Sequence, residues 1–141
     1  MKWLSTVTSF MASNKRKRRG KSAHSIDHAT FLQMLTDEFP EVPQAFDKYS
    51  QGLLHCEMGV LARLSQEAMD QERWWQVDKY VRFIARVRAR ATPEVENAID
   101  VSYIEYLALS YVTPNRTVAM KRMPKALRAI LQQIDGRQRW A

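Results

Sequence analysis

Three histidines, one cysteine and a carboxylate set among apolar residues are the side chains here whose types suit chemistry. His24 and His28 are four apart, the spacing that puts two metal ligands on one helix face. His55 is the third histidine, and nothing completes the usual four-ligand set, so no metal site is expected. His55 and Cys56 are neighbours. On a helix they diverge by about 100°, too far apart to work as base and nucleophile. Cys56 also falls on an apolar stripe, where a cysteine is an inert small hydrophobe. No glycine-rich phosphate loop, HExxH or paired CxxC occurs. No catalytic residue and no cofactor is therefore named, and the chain reads as a non-enzyme.

Glu105 stands among Tyr103, Ile104, Tyr106 and Leu107. A carboxylate buried there is costly unless paired, hydrogen-bonded or neutral. It is either a tuned acid or binding anchor, or structural: a partner for an arginine of the preceding helix, or a carboxylate whose end reaches solvent. Structural ion pairs are common enough to make the second reading the preferred one. Trp74 and Trp75 follow Arg73. One ring suits the core and the other an exposed contact, since Trp, Tyr and Arg dominate binding hot spots; packing both inside is the plain alternative.

Positioning falls to helices. With only 4 Gly and 5 Pro in 141 residues, and Leu, Ala, Arg, Met and Gln plentiful, helix is the favoured state. The organising stretch is 93–112. Thr92 can cap it, Pro93 suits its first position, and Glu94 and Glu96 favour its positive end. From Ala98 on, apolar side chains point almost all round the axis, which predicts a central buried helix. Before it, Asp27 caps a helix from His28 to Phe39 with Phe31, Leu35 and Phe39 inward, ended by Pro40. Pro43 can open a short helix containing Ala45, Phe46 and Tyr49. Ser50 caps a second helix to about residue 71, with Leu53, Cys56, Val60, Leu61, Leu64, Ala68 and Met69 inward. Gly59 inside it implies a close helix crossing. A third helix, about Arg73 to Ala91, turns Trp74, Val77, Val81 and Ile84 inward and Lys79, Arg82, Arg86 and Arg90 outward. Residues 116–123 suit a short helical turn. A last helix after Pro124 carries Leu127, Ile130, Leu131 and Ile134 and stops at Gly136.

Charge divides the chain. Residues 1–25 hold seven basic residues and no acid, and the remainder carries fifteen of each sign. Lys15, Arg16, Lys17, Arg18, Arg19 and Lys21 repel one another and show no apolar face, which predicts a disordered tail. Segment 26–78 has a net charge of −7 and segment 106–141 of +6. The single cysteine fits a reducing cytoplasm. The start lacks the continuous apolar stretch of a secretory signal, and no apolar run is long enough to cross a membrane.

The stretches FLQMLTDEFPEVP, LLHCEMGVLARLSQEAMD and ATPEVENAIDVSYIEYL resemble a family of small bacterial all-helical domains of unknown function. The features that carry the likeness are Phe39 and Pro40, Met58 and Gly59, and Asn97, Ala98, Ser102, Glu105 and Leu107. It covers residues 30 to about 112 and leaves out the basic tail and the last helix. It implies a helical bundle and supplies no activity. Small bacterial domains of this sort often act as immunity or antitoxin proteins, which is an analogy of fold alone.

The expectation is an all-α single-domain bundle of about five helices around 93–112. The divisions are a tail at 1–25, a bundle at 26–136 and a frayed end at 137–141. The function expected is a protein-binding module, of the immunity or antitoxin type, docking an acidic face on a basic toxin. Asp37, Glu38, Glu41, Asp47, Glu67, Asp70, Glu72 and Trp75 are its expected contacts. The alternative is a nucleic-acid-associated regulator using the basic run Lys15 to Lys21.

Overall fold

The computed structural model describes residues 25–109 and 114–140, and its regular structure is helical apart from one backbone bridge. Asp27 opens α1 (His28–Glu38), accepting the N–H of Thr30 at 2.9 Å. That bond holds the Asp27 carboxyl below the usual carboxylate range. Phe31, Leu35 and Phe39 are buried, as their four-residue spacing requires. A single turn, α2 (Glu41–Gln44), starts directly after Pro40, so Pro43 lies inside it instead of opening it.

Ser50 does not cap the next helix. Asp47 accepts the N–H groups of Tyr49 and Ser50 at 2.8 Å and the Ser50 hydroxyl at 3.0 Å. This local turn occupies Ser50. The helix, α3 (Leu54–Asp70), begins after Gly52, whose φ of +87° suits a residue without a Cβ. Its inward face differs from the expected one. Leu54, Glu57, Met58, Leu61, Ala62, Ser65, Ala68 and Met69 are buried, while Leu53 and Cys56 are exposed. Glu57 is completely buried. Its carboxylate accepts the Gly52 N–H at 2.7 Å and meets His28 Nε2 of α1 at 2.7 Å. Ser65 shares a 2.8 Å hydrogen bond with the buried Tyr103 hydroxyl. Gly59 marks no close crossing, since a Cβ there would meet nothing within 4 Å.

The turn into α4 (Trp74–Ala89) closes α3 with a Schellman motif. Arg73 N–H reaches Ala68 C=O at 2.8 Å and Glu72 N–H reaches Met69 C=O at 3.0 Å. Glu72 takes a left-handed φ of +57°, a place that glycine usually fills. Val77, Tyr80, Val81, Phe83, Ile84 and Val87 face the core. Phe39 sits edge-on to Tyr80 and Phe83, with centroids 5.0 and 5.4 Å away, locking α1 to α4. Beyond α4, Ile26 pairs with Ala91 through Ile26 N–H to Arg90 C=O and Thr92 N–H to Ile26 C=O, both 3.0 Å.

Thr92 and Pro93 open α5 as expected, the Thr92 hydroxyl accepting the Val95 N–H at 3.4 Å. α5 is not uniform. It comprises Pro93–Ala98, a π-helical stretch Ile99–Ile104, and Glu105–Leu109. Val95, Ala98 and Ile99 point inward, then Tyr103, Ile104 and Leu107. Val101 and Tyr106 are 46% and 42% exposed, so α5 is not buried all round. The helix with the most neighbours is α3, which packs against α2, α4, α5 and α6 (Pro114–Arg122). α7 (Lys125–Trp140) runs through Gly136 instead of stopping there, and it packs on α5. Leu127, Leu131 and Ile134 are buried and Ile130 packs against the same core. Among the described residues the bundle has seven helices, not about five, because the two short segments at 41–44 and 114–122 are helices in their own right.

Two substitutions exchange a residue for the one its backbone favours. Gly59→Ala inside α3 and Glu72→Gly in the left-handed turn should each stabilise the fold by about 0.5–1 kcal/mol. Thermal unfolding should register a rise of about 2–5 °C for each; a lower midpoint would contradict the local account. Glu57→Ala strips an acceptor from both Gly52 and His28 and leaves a cavity, a loss of about 2–4 kcal/mol in denaturant unfolding. Neutral behaviour of that variant would show that the buried carboxylate is not structural.

Candidate functional site

Among the described residues, an open groove of about 860 Å³ lies between the α1–α2 corner and the outer face of α4. Glu38, Phe39 and Glu41 form one wall; Arg73, Trp75, Gln76, Lys79, Arg82 and Arg86 form the other. The helical spacing that drives Val77, Val81 and Ile84 inward forces Lys79, Arg82 and Arg86 onto this outer face, as expected from the sequence.

A hydrogen-bonded chain fixes the groove's floor. Arg73 donates to Gln76 Oε1 at 3.1 Å, Gln76 donates to Tyr80 Oη at 2.8 Å, and Tyr80 donates to Glu41 Oε2 at 2.8 Å. Burial, reinforced by the Glu41 carboxylate, raises the Tyr80 hydroxyl well above its ordinary pKa, so it stays a neutral donor. Glu38 is held by Arg86, whose guanidinium also lies 5.6 Å from the Phe83 ring centroid. Both acids of the groove are therefore engaged. Lys79 and Arg82 make no ion pair among the described residues, and Lys79 lies 5.4 Å from the centroid of Trp75. Trp75 is 61% exposed. Arg73 Nε is buried with no hydrogen-bond partner, one donor short of what a buried polar group normally has. Four cations thus face two occupied carboxylates around an exposed indole.

Most of the expected acidic contacts are engaged by neighbours within the domain. Glu38, Glu41 and Trp75 line the groove. Asp47 is used in its own loop, where the Ser50 and Tyr49 N–H groups and the Ser50 hydroxyl keep its carboxyl below the usual range. Glu67 pairs with Arg63, and Asp37 and Asp70 accept from Gln33 and Gln66. Glu72 occupies the left-handed turn. Asp78, also in the acidic segment, forms a two-pronged pair with Arg122 at 2.8 and 3.0 Å. Trp74 is partly buried beneath that arginine, while Trp75 is the exposed ring.

Glu105 is half-buried, with no ion pair among the described residues. The arginine of α4 instead takes Asp100, by two bonds of 2.8 and 2.9 Å, and Glu96 at 3.2 Å; this is Arg88. The buried carboxylate is Glu57, which hydropathy alone does not single out. His55 Nδ1 lies 2.7 Å from Ser102 Oγ, a base-to-hydroxyl distance also missed in the sequence. No described side chain orients the other imidazole nitrogen, so the third member of a nucleophile–base–orienter set is missing among them. Among the described residues no group of three metal-ligating side chains occurs, and no helix is long and apolar enough to cross a membrane. His24 and the basic run Lys15, Arg16, Lys17, Arg18, Arg19 and Lys21 lie outside the described residues.

Comparison with known proteins returns one family. No curated protein and no solved structure matches. The family model described as Domain of unknown function (DUF7674) matches residues 32–141. That match takes in the last helix as well, beyond the reach of the sequence resemblance. The chain belongs to this family of small all-helical domains.

Proposed function

We propose that this DUF7674 member is a non-enzymatic module that binds a protein partner through the groove beside Trp75. The observation that supports it is the pairing of an exposed indole with two unpaired cations over a floor already fixed by hydrogen bonds. A rigid floor lowers the ordering cost of binding. Trp and Arg are the side chains that concentrate binding energy at the centre of interfaces. The groove is open on one side, which suits a chain segment better than an enclosed small molecule.

The toxin-neutralising form of this reading, in which the domain acts as an immunity or antitoxin protein, calls for an acidic face. Most of those acids are engaged within the domain, and the groove's surplus is positive. The proposal therefore rests on the groove and not on the acids of 26–78.

Affinity capture with the full chain tests the reading. Wild-type protein should retain a stoichiometric partner from native lysate, and the Trp75→Ala, Arg82→Ala chain should release it with an unchanged circular-dichroism spectrum. Removing both side chains is expected to weaken binding by about 2–4 kcal/mol. Retention of the same proteins by both chains would place the binding face elsewhere or refute it.

A further inference from the structure

We infer that the groove takes an extended acidic segment of a partner protein, two carboxylates of which meet Lys79 and Arg82 while an apolar side chain packs on Trp75. This rests on the groove being the binding face and adds the chemistry of what it holds. Three observations converge on it.

The first is the sign of the groove. Glu38 is neutralised by Arg86, and Glu41 is tied down by Tyr80 and Gln76. What remains for a ligand is positive: Lys79, Arg82 and the part of Arg73 not used by Gln76. The second is spacing. Lys79 and Arg82 are one helical turn apart, about 5–6 Å between Cβ atoms. Alternate residues of an extended chain lie about 7 Å apart on one side. Two acids in an acid–x–acid pattern therefore match two cations in register. The third is the mixture of surfaces. Trp75 is exposed and Phe39 lies in the opposite wall, so the groove presents apolar area next to charge.

A nucleic-acid backbone fits less well. It would bring evenly spaced negative charge past Glu38 and Glu41 as well as past the cations. A peptide can alternate charge with apolar side chains, and the groove alternates likewise.

Phage-displayed random heptapeptides panned on the full chain give the test. Peptides held by the basic run of 15–21 bind equally to a Lys79→Glu, Arg82→Glu chain, so panning against that chain removes them. Both positions are exposed, and circular dichroism verifies that the variant folds. The expected outcome is enrichment of acid–x–acid peptides with a neighbouring apolar residue. Synthesised with a fluorescein label, these should bind in anisotropy titrations and weaken about tenfold or more on the reversed-charge chain and on raising the salt. Enrichment of neutral or basic peptides that release on Trp75→Ala but not on charge reversal would leave the groove as the binding face and overturn the acidic class. Failure of any peptide to depend on a groove residue would overturn both. A twenty-nucleotide single strand that displaces the acidic peptide from the wild-type chain at lower concentration would reassign the groove to nucleic acid.

Discussion

A carboxylate with no access to water cannot be left without partners, and Glu57 imposes that condition in the first turn of α3. Leaving its hydrogen-bonding capacity unmet costs about 1–3 kcal/mol, more for a charged group. The two groups that meet it come from different places: His28 from the start of α1 and the Gly52 N–H from the loop before α3. Three pieces of backbone are thereby brought to one point. With His28 in place, α1 delivers Phe31, Leu35 and Phe39 to the core, and Phe39 reaches Tyr80 and Phe83 across to α4. Tyr80 in turn holds Glu41 and, through Gln76, Arg73. The groove floor is thus continuous with the core, which is why its side chains are already positioned.

Helix existence was legible in the sequence, and inward faces only in part. Asp27, Thr92 and Pro93 did what their chemistry implies, and α1, α4 and α7 buried the residues their periodicity selects. α3 defeated the hydropathy reading because two of its core positions are polar. Glu57 and Ser65 look like surface residues until His28, Gly52 and Tyr103 are seen beside them. Leu53 and Cys56, the first two positions of the expected stripe, therefore belong to solvent, while Leu61, Ala68 and Met69 of the same stripe are buried. Ser50 misled for a different reason: Asp47 claims it locally before a helix can. Of the site, the outward cations and the exposed Trp were readable. The hydrogen-bonded floor was not, because it joins residues nearly forty positions apart.

Charge followed the same logic. A net −7 over 26–78 looks like an interaction face on paper. In the fold, Glu38 meets Arg86, Asp78 meets Arg122, Glu57 meets His28, and Asp27 and Asp47 accept backbone N–H groups. Most of the exposed pairs contribute little to stability, about 0–1 kcal/mol each. They do decide what is left over. Segregation along the chain becomes cross-pairing in space, and the residue of that cancellation is positive at the groove.

The π-helical stretch in α5 has a consequence for chain length. A wide turn is one residue inserted into an ordinary helix. Upstream, Val95, Ala98 and Ile99 follow a normal helical phase; downstream, Tyr103, Ile104 and Leu107 follow the same phase displaced by one. Excising one residue from a core helix ordinarily swings everything after it by about 100°. Here, excising the exposed Val101 would restore a regular winding and return both sets to a single stripe. α5 therefore has a point where the gene can shed a codon and keep the core's pattern, a tolerance that a cooperative thermal transition of the shortened chain would reveal.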